Sequence, residues 1–170
     1  MIAKSLDVYA LAKLVLEKKK RSFAVVAKEI GMSASEFHAA VLRLAQAGLI
    51  EQESRKVRGK PVEEFLFHGV PYAFPARQGP PTRGVPTSHM AAPLNALVAA
   101  SSGTLGPVWP DAGGKTSGYA IEPLHPSAPM VAKTDPAFYE ILALIDALRD
   151  GRTRERQLAR EELHRRIFLS

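Results

Sequence analysis

The stretch Ser22–Ile50, "SFAVVAKEIGMSASEFHAAVLRLAQAGLI", decides how the rest of the chain is read. Ser22 stands where a helix needs an N-cap, and Val26, Ala27 and Ile30 supply the apolar stripe of a short helix. Gly31 can take the left-handed backbone of a tight turn. Ser33-Ala34-Ser35-Glu36 then reads as a capping box: the Ser33 oxygen accepts from the Glu36 backbone N–H, and the Glu36 carboxylate reaches back. The helix it opens, residues 34–47, buries Phe37, Val41 and Leu44 and stops at Gly48. A short helix, a glycine turn and a longer capped helix make a helix-turn-helix. Ala27, small where two helices approach, and Phe37, where the second helix meets the core, fit that motif better than an ordinary helical hairpin.

Working outward, residues 5–18 carry Val8, Leu11, Ala12 and Val15 on one face, with Ser5 placed to cap the start. A basic run, Lys18-Lys19-Lys20-Arg21, separates this helix from the next. Downstream, "AGLIEQESRKVRGKPVEEFLFHG" predicts two strands around a tip that carries Arg55, Lys56, Arg58 and Lys60 about Gly59. Cations in such a tip suit a phosphate backbone, where they add affinity with little sequence information. Residues 1–68 hold twelve Lys/Arg against eight Asp/Glu, so much of the chain's +6 excess lies here.

Helix, helix, second motif helix and hairpin together resemble the winged-helix domains of the MarR-like bacterial transcriptional regulators. The resemblance implies a winged helix-turn-helix domain over 1–68 that binds double-stranded DNA as a homodimer. It places helix 34–47 in the major groove and the 55–60 wing on the phosphates. On that helix Ala34, Ser35, His38, Ala39, Leu42 and Arg43 are not needed for the core. Ser35, His38 and Arg43 have the chemistry to read bases, with Arg43 the best candidate for guanine or a phosphate. The expected DNA contacts are therefore Ser35, His38, Ala39, Arg43, Arg55, Lys56, Arg58 and Lys60, joined by Lys20 and Arg21.

Residues 69–133 hold eleven of the 13 prolines and eight of the 12 glycines. Val70, Tyr72 and Phe74 alternate, which predicts an extended arm pinned by Tyr72 and Phe74, with Arg77 and Arg83 free to touch DNA or a partner. "APLNALVAA", Ala92–Ala100, predicts a short helix or turn, and loops are expected around 101–106 and 111–117. Residues 134–170 predict a helical pair. Asp135 caps the first helix, Pro136 opens it and Gly151 ends it, with Phe138, Ile141, Leu142, Ile145 and Leu148 on its apolar face. The second carries Leu158, Leu163 and Ile167 on one side and six arginines elsewhere. Glu161–Arg165 and Glu162–Arg166 stand at favourable i, i+4 spacing. Dimerisation or partner binding is the expected role of this pair. The expected fold class is mainly α with a small β-wing, a Pro/Gly-rich arm and this helical pair.

The order of "HGVPYAFPA", "TRGVPTSH", "GYAIEPL" and "DPAFYEILALIDALRDGRTRERQLA" resembles a group of bacterial winged-helix regulators of similar length. That resemblance implies an antitoxin-like autoregulator, with a toxin as the alternative protein partner. No enzyme, cofactor or metal is expected. The chain has no cysteine, and its histidines (38, 68, 89, 125 and 164) lack metal-ligand spacing. "DAGGKTSG" lacks the first glycine of a phosphate loop. No apolar run approaches bilayer length and no leader pattern stands at the N-terminus, so a cytoplasmic protein without membrane contact is expected.

Overall fold

The computed structural model describes residues 4–99 and 105–169. Helix α1 (Ser5–Leu16) is buried continuously from Asp7 to Val15. A helix buried on all sides needs packing partners around its whole circumference. It finds them in α3 (Ala34–Gln46), α7 (Pro136–Asp150) and α8 (Thr153–Phe168). The expected stripe is thus only part of its contact surface. Lys4, not Ser5, occupies the N-cap and makes no side-chain cap bond.

The central motif forms by the local chemistry expected of it. The Ser22 side chain accepts from the Val25 backbone N–H at 3.2 Å and opens α2 (Phe23–Glu29). Gly31 turns the chain with φ +70°, and a Cβ there would lie 2.5 Å from Ser127 Oγ. Both bonds of the capping box between Ser33 and Glu36 are present at 3.1 Å. Gly48, at φ +79°, closes α3.

The wing is where the structure departs from expectation. Ile50 and Val57 form one antiparallel bridge around a short turn, and no second strand follows. Residues Gly59–His68 are instead helix α4, which packs against α7 and α8. Val62 and Leu66, one helical turn apart, are the two side chains it buries. Pro61 is tolerated because it falls in the first turn, where its missing N–H has no helical partner. Helical spacing and burial against the C-terminal pair outweigh the polar-apolar alternation.

The fold is mainly α with a small three-stranded sheet, and that sheet belongs to the middle of the chain. The expected arm begins as a short helix, α5 (Val70–Ala73). Helical geometry puts Val70 and Phe74 on one side and Tyr72 on the other. Val70 is buried and Phe74 half-buried, whereas Tyr72 is 83% exposed and anchors nothing. Strands β1 (Pro81–Pro86), β2 (Pro107–Pro110) and β3 (Thr116–Ala120) follow, each paired with both others. β1 runs antiparallel to its two neighbours, while β2 and β3 are parallel. Prolines stand at the strand ends, where a missing donor does least harm. At Gly84 the strands come so close that a Cβ would lie 1.9 Å from the Trp109 carbonyl oxygen.

Ala92–Ala100 contributes a short turn of tight helix at Leu94–Ala96, with Ala100 outside the described residues. Of the loop expected at 101–106, residues 101–104 also lie outside them, and Gly106 is buried beside Met90. The loop expected at 111–117 is a turn that gives way to β3 at Thr116.

A buried carboxylate ties this middle region to the helical pair. Asp146 on α7 is 1% exposed and accepts from Thr87 Oγ1 and Trp109 Nε1, both at 2.7 Å, and from Arg149 at 2.6 Å. Burial pushes its carboxyl above the usual range, while the Arg149 guanidinium pulls it back. Arg149 also donates to the carbonyls of Phe74 and Glu122. After α6 (Ala128–Val131), α7 begins as expected: Asp135 accepts from the Phe138 backbone N–H, and Pro136 follows. On α8, Glu162 takes both Arg165 and Arg166, and Glu161 is bonded to Gln157 rather than Arg165. Val8, Phe37, Val62, Trp109, Ile145 and Leu163 all belong to one hydrophobic cluster. Residues from each of the three expected segments therefore share one core.

Candidate nucleic-acid interface

Packing leaves part of α3 in solvent. Phe37, Ala40, Val41 and Leu44 face inward. Ser35, His38 and Leu42 are exposed and Ala39 is half-buried. Ser33 and Glu36, committed to the capping box, fix the register in which Ser35 and His38 project.

Arg43 behaves otherwise. Its Nε and Nη2 both donate to the Asp7 carboxylate, at 3.0 and 2.7 Å. Asp7 is fully buried on α1. The guanidinium expected to read guanine is therefore the counter-ion of an interior carboxylate, and its hydrogen bond to Asp7 raises its own pKa further. A two-point guanidinium–carboxylate contact is the geometry that makes such a pair strong. The sequence signal for this was Asp7, the one acidic residue of a mostly apolar helix.

The expected wing cations divide among three environments. Arg55 is 8% exposed, with left-handed backbone at φ 59°, and lies over the Phe23 ring at 4.3 Å. It is no exposed tip. Lys56 and Arg58 are exposed on either side of Val57. Lys60 stands on α4, 3.9 Å from Glu64. Before α2, Lys18, Lys19 and Lys20 are exposed, whereas Arg21 is held by Glu17 and Glu29, with contacts down to 2.6 Å. Arg77 and Arg83 are exposed, Arg83 on β1.

A chain of ring contacts links the exposed face of α3 to the basic loops. The His38 ring lies 4.6 Å from that of Phe23, whose face carries Arg55. Arg55, Lys56 and the lysine run then line one cavity. Ser35, His38, Lys20, Lys56, Arg58 and Lys60 are the members of the expected set exposed to solvent, and Lys18 and Lys19 are exposed beside Lys20.

Elsewhere the histidines serve local roles. His89 lies beside Glu155, His164 beside Glu63, and His125 stacks on Tyr9 at 4.8 Å. Burial lowers the pKa of His125. Among the described residues no group of three His, Asp or Glu side chains is placed to hold a metal ion. Among them, too, no helix is long and apolar enough to cross a membrane. Comparisons with protein-family models, curated proteins and solved structures gave no match for this chain.

Proposed function

We propose that this protein is a DNA-binding transcriptional regulator, with α3 in the major groove and the basic loops on the flanking phosphates. The supporting observation is the continuity from the solvent face of α3, through His38, Phe23 and Arg55, to the exposed cations at Lys18–Lys20, Lys56 and Arg58. Base contacts fall to Ser35 and His38, and phosphate contacts to the lysines and Arg58. Arg43 is reassigned from reading to support. With two polar readers per chain, a homodimer on a two-fold site supplies the contacts that one copy lacks.

The test is fluorescence anisotropy of the full chain on duplex DNA selected from a random pool. Replacing Lys18, Lys19 and Lys20 by alanine should weaken every duplex alike and flatten the slope of log K against log salt by roughly 3, given about 0.9 per phosphate neutralised. Replacing Ser35 and His38 should relax sequence preference while preserving the salt slope. Affinity and slope unchanged in the lysine variant would reject this interface.

A second reading, antitoxin-like binding of a protein partner such as a toxin, is favoured by exposed Val25 (47%) and Leu42 (43%) on the two motif helices. Under it, Leu42→Ala abolishes co-purification with a co-expressed adjacent gene product and leaves the salt slope of duplex binding unchanged.

A further inference from the structure

The turn between α2 and α3 is held from outside the motif. Its carbonyls at Ile30 and Gly31 each accept from a side chain elsewhere in the chain. The Tyr9 hydroxyl on α1 donates to Ile30 at 2.7 Å, and the Ser127 hydroxyl, just before α6, donates to Gly31 at 3.0 Å. Ser127 sits so close that a Cβ on Gly31 would lie 2.5 Å from its oxygen. Ser33, the N-cap of α3, follows two residues after Gly31, so this turn sets where α3 begins. Ser35 and His38 stand close behind it on α3.

His125 joins the two pins. Its ring stacks on Tyr9, with centroids 4.8 Å apart and planes inclined by 19°. Its Nδ1 accepts from the Ser127 backbone N–H at 3.1 Å. A backbone N–H can only donate, so Nδ1 carries no proton and the ring is the neutral Nε2–H tautomer. A proton added at Nδ1 sets donor against donor and ends that bond. The titratable groups around the ring are Tyr9 from α1 and Glu36 from the first turn of α3. Burial holds the imidazole below its ordinary 6.5, with Glu36 opposing, and raises the Tyr9 phenol so that it stays a donor. The seated ring therefore takes up a proton less readily than a freed one. Its contribution is fully present above about 6.5 and is lost as pH falls below that value.

We propose that His125 is a proton-controlled latch on the start of α3. Neutral, it seats Ser127 on Gly31 and fixes the turn; protonated, it frees Ser127 and loosens residues 30–36. The consequence for base reading by Ser35 and His38 rests on the DNA reading above, whereas the latch itself does not.

Amide hydrogen exchange of the full chain without DNA, corrected for intrinsic rates, tests the latch at about pH 7.5 and about pH 5.5. Protection over residues 30–36 should fall about threefold or more in acid. His125→Asn supplies an acceptor for the same N–H that takes no proton, and its protection should be equal at both pH values. Ser127→Ala removes the pin on Gly31 and should be as weakly protected at high pH as the parent is in acid. Level protection in the parent overturns the latch. So does an acid fall in His125→Asn equal to the parent's, or full protection in Ser127→Ala. Duplex anisotropy at the same two pH values reads the consequence. The parent should lose preference for its selected sequence in acid more than His125→Asn does, since both keep His38. Protection that falls while no duplex is bound at either pH rejects the DNA reading and upholds the latch.

Discussion

Arg43 and Asp7 show how one contact redistributes roles along α3. Asp7 lies fully buried, and the Arg43 guanidinium satisfies both its oxygens. Arg43→Ala strands a carboxylate in the interior, and removing one partner of such a pair costs about 3 kcal/mol. Urea unfolding monitored by circular dichroism should show that loss, and a change below about 0.5 kcal/mol, the ordinary surface range, would contradict it. Glu29 gives a second expectation at this scale. Its hydrogen bond to Arg21 holds its pKa at about 2, against an ordinary 4.5, with Lys13 assisting. The stabilisation is present above 4.5 and lost as pH falls toward 2. Glu29→Gln should flatten the fall in melting temperature across that window and leave it unchanged in slope near neutrality. The effect is modest because the side chain is 39% exposed and water screens the pair.

Among the elements, the sheet and α7 depend on one another through Asp146. Asp146→Ala leaves the Trp109 indole N–H, the Thr87 hydroxyl and the Arg149 guanidinium without their shared acceptor. Each buried donor left unpaired costs about 1–3 kcal/mol, so the variant should lose at least about 3 kcal/mol in chemical unfolding. Near-UV circular dichroism of Trp109 should weaken before far-UV helix signal does. A variant as stable as the parent would show that water replaces the carboxylate at no cost. The helices α2, α3 and α7 were legible from Ser22, the Ser33–Glu36 box and Asp135-Pro136, because a cap is a contact between near neighbours in sequence. Helix α4 was not. "KPVEEFLFH" alternates well enough for a strand, and what selects the helix is the burial of Val62 and Leu66 beneath α7 and α8. Tyr72 was misplaced for the same reason: the period changed from two to 3.6, and the side chain moved from anchor to solvent.

For the molecule as a whole, the three expected segments contribute to one shared core. Helix α1 needs α7 and α8 as well as α3 around it, and α4 needs the same pair. A fragment of residues 1–68 leaves α1 and α4 with exposed apolar faces and should show no cooperative thermal transition, whereas the full chain unfolds cooperatively. A fragment that melts sharply would restore the separate N-terminal domain. The apolar face of α7 is also consumed within the chain, since residues 141–149 are buried against its own neighbours. A homodimer must therefore use other surfaces than that face.

The sequence by itself determined the local grammar of this protein: caps, the glycine turn, the helix-turn-helix order, and where positive charge accumulates. Those features depend on residues within a turn or two of one another, or on composition alone. Only the tertiary structure decided that Arg43 supports Asp7, that Arg55 is buried over the Phe23 ring, and that the proline-rich middle closes into a sheet on α7. Those outcomes turn on partners 36 residues apart for Arg43 and Asp7, and 37 apart for Trp109 and Asp146. A charged side chain keeps one composition in solvent or in the core, and its role is set by which buried group it must neutralise.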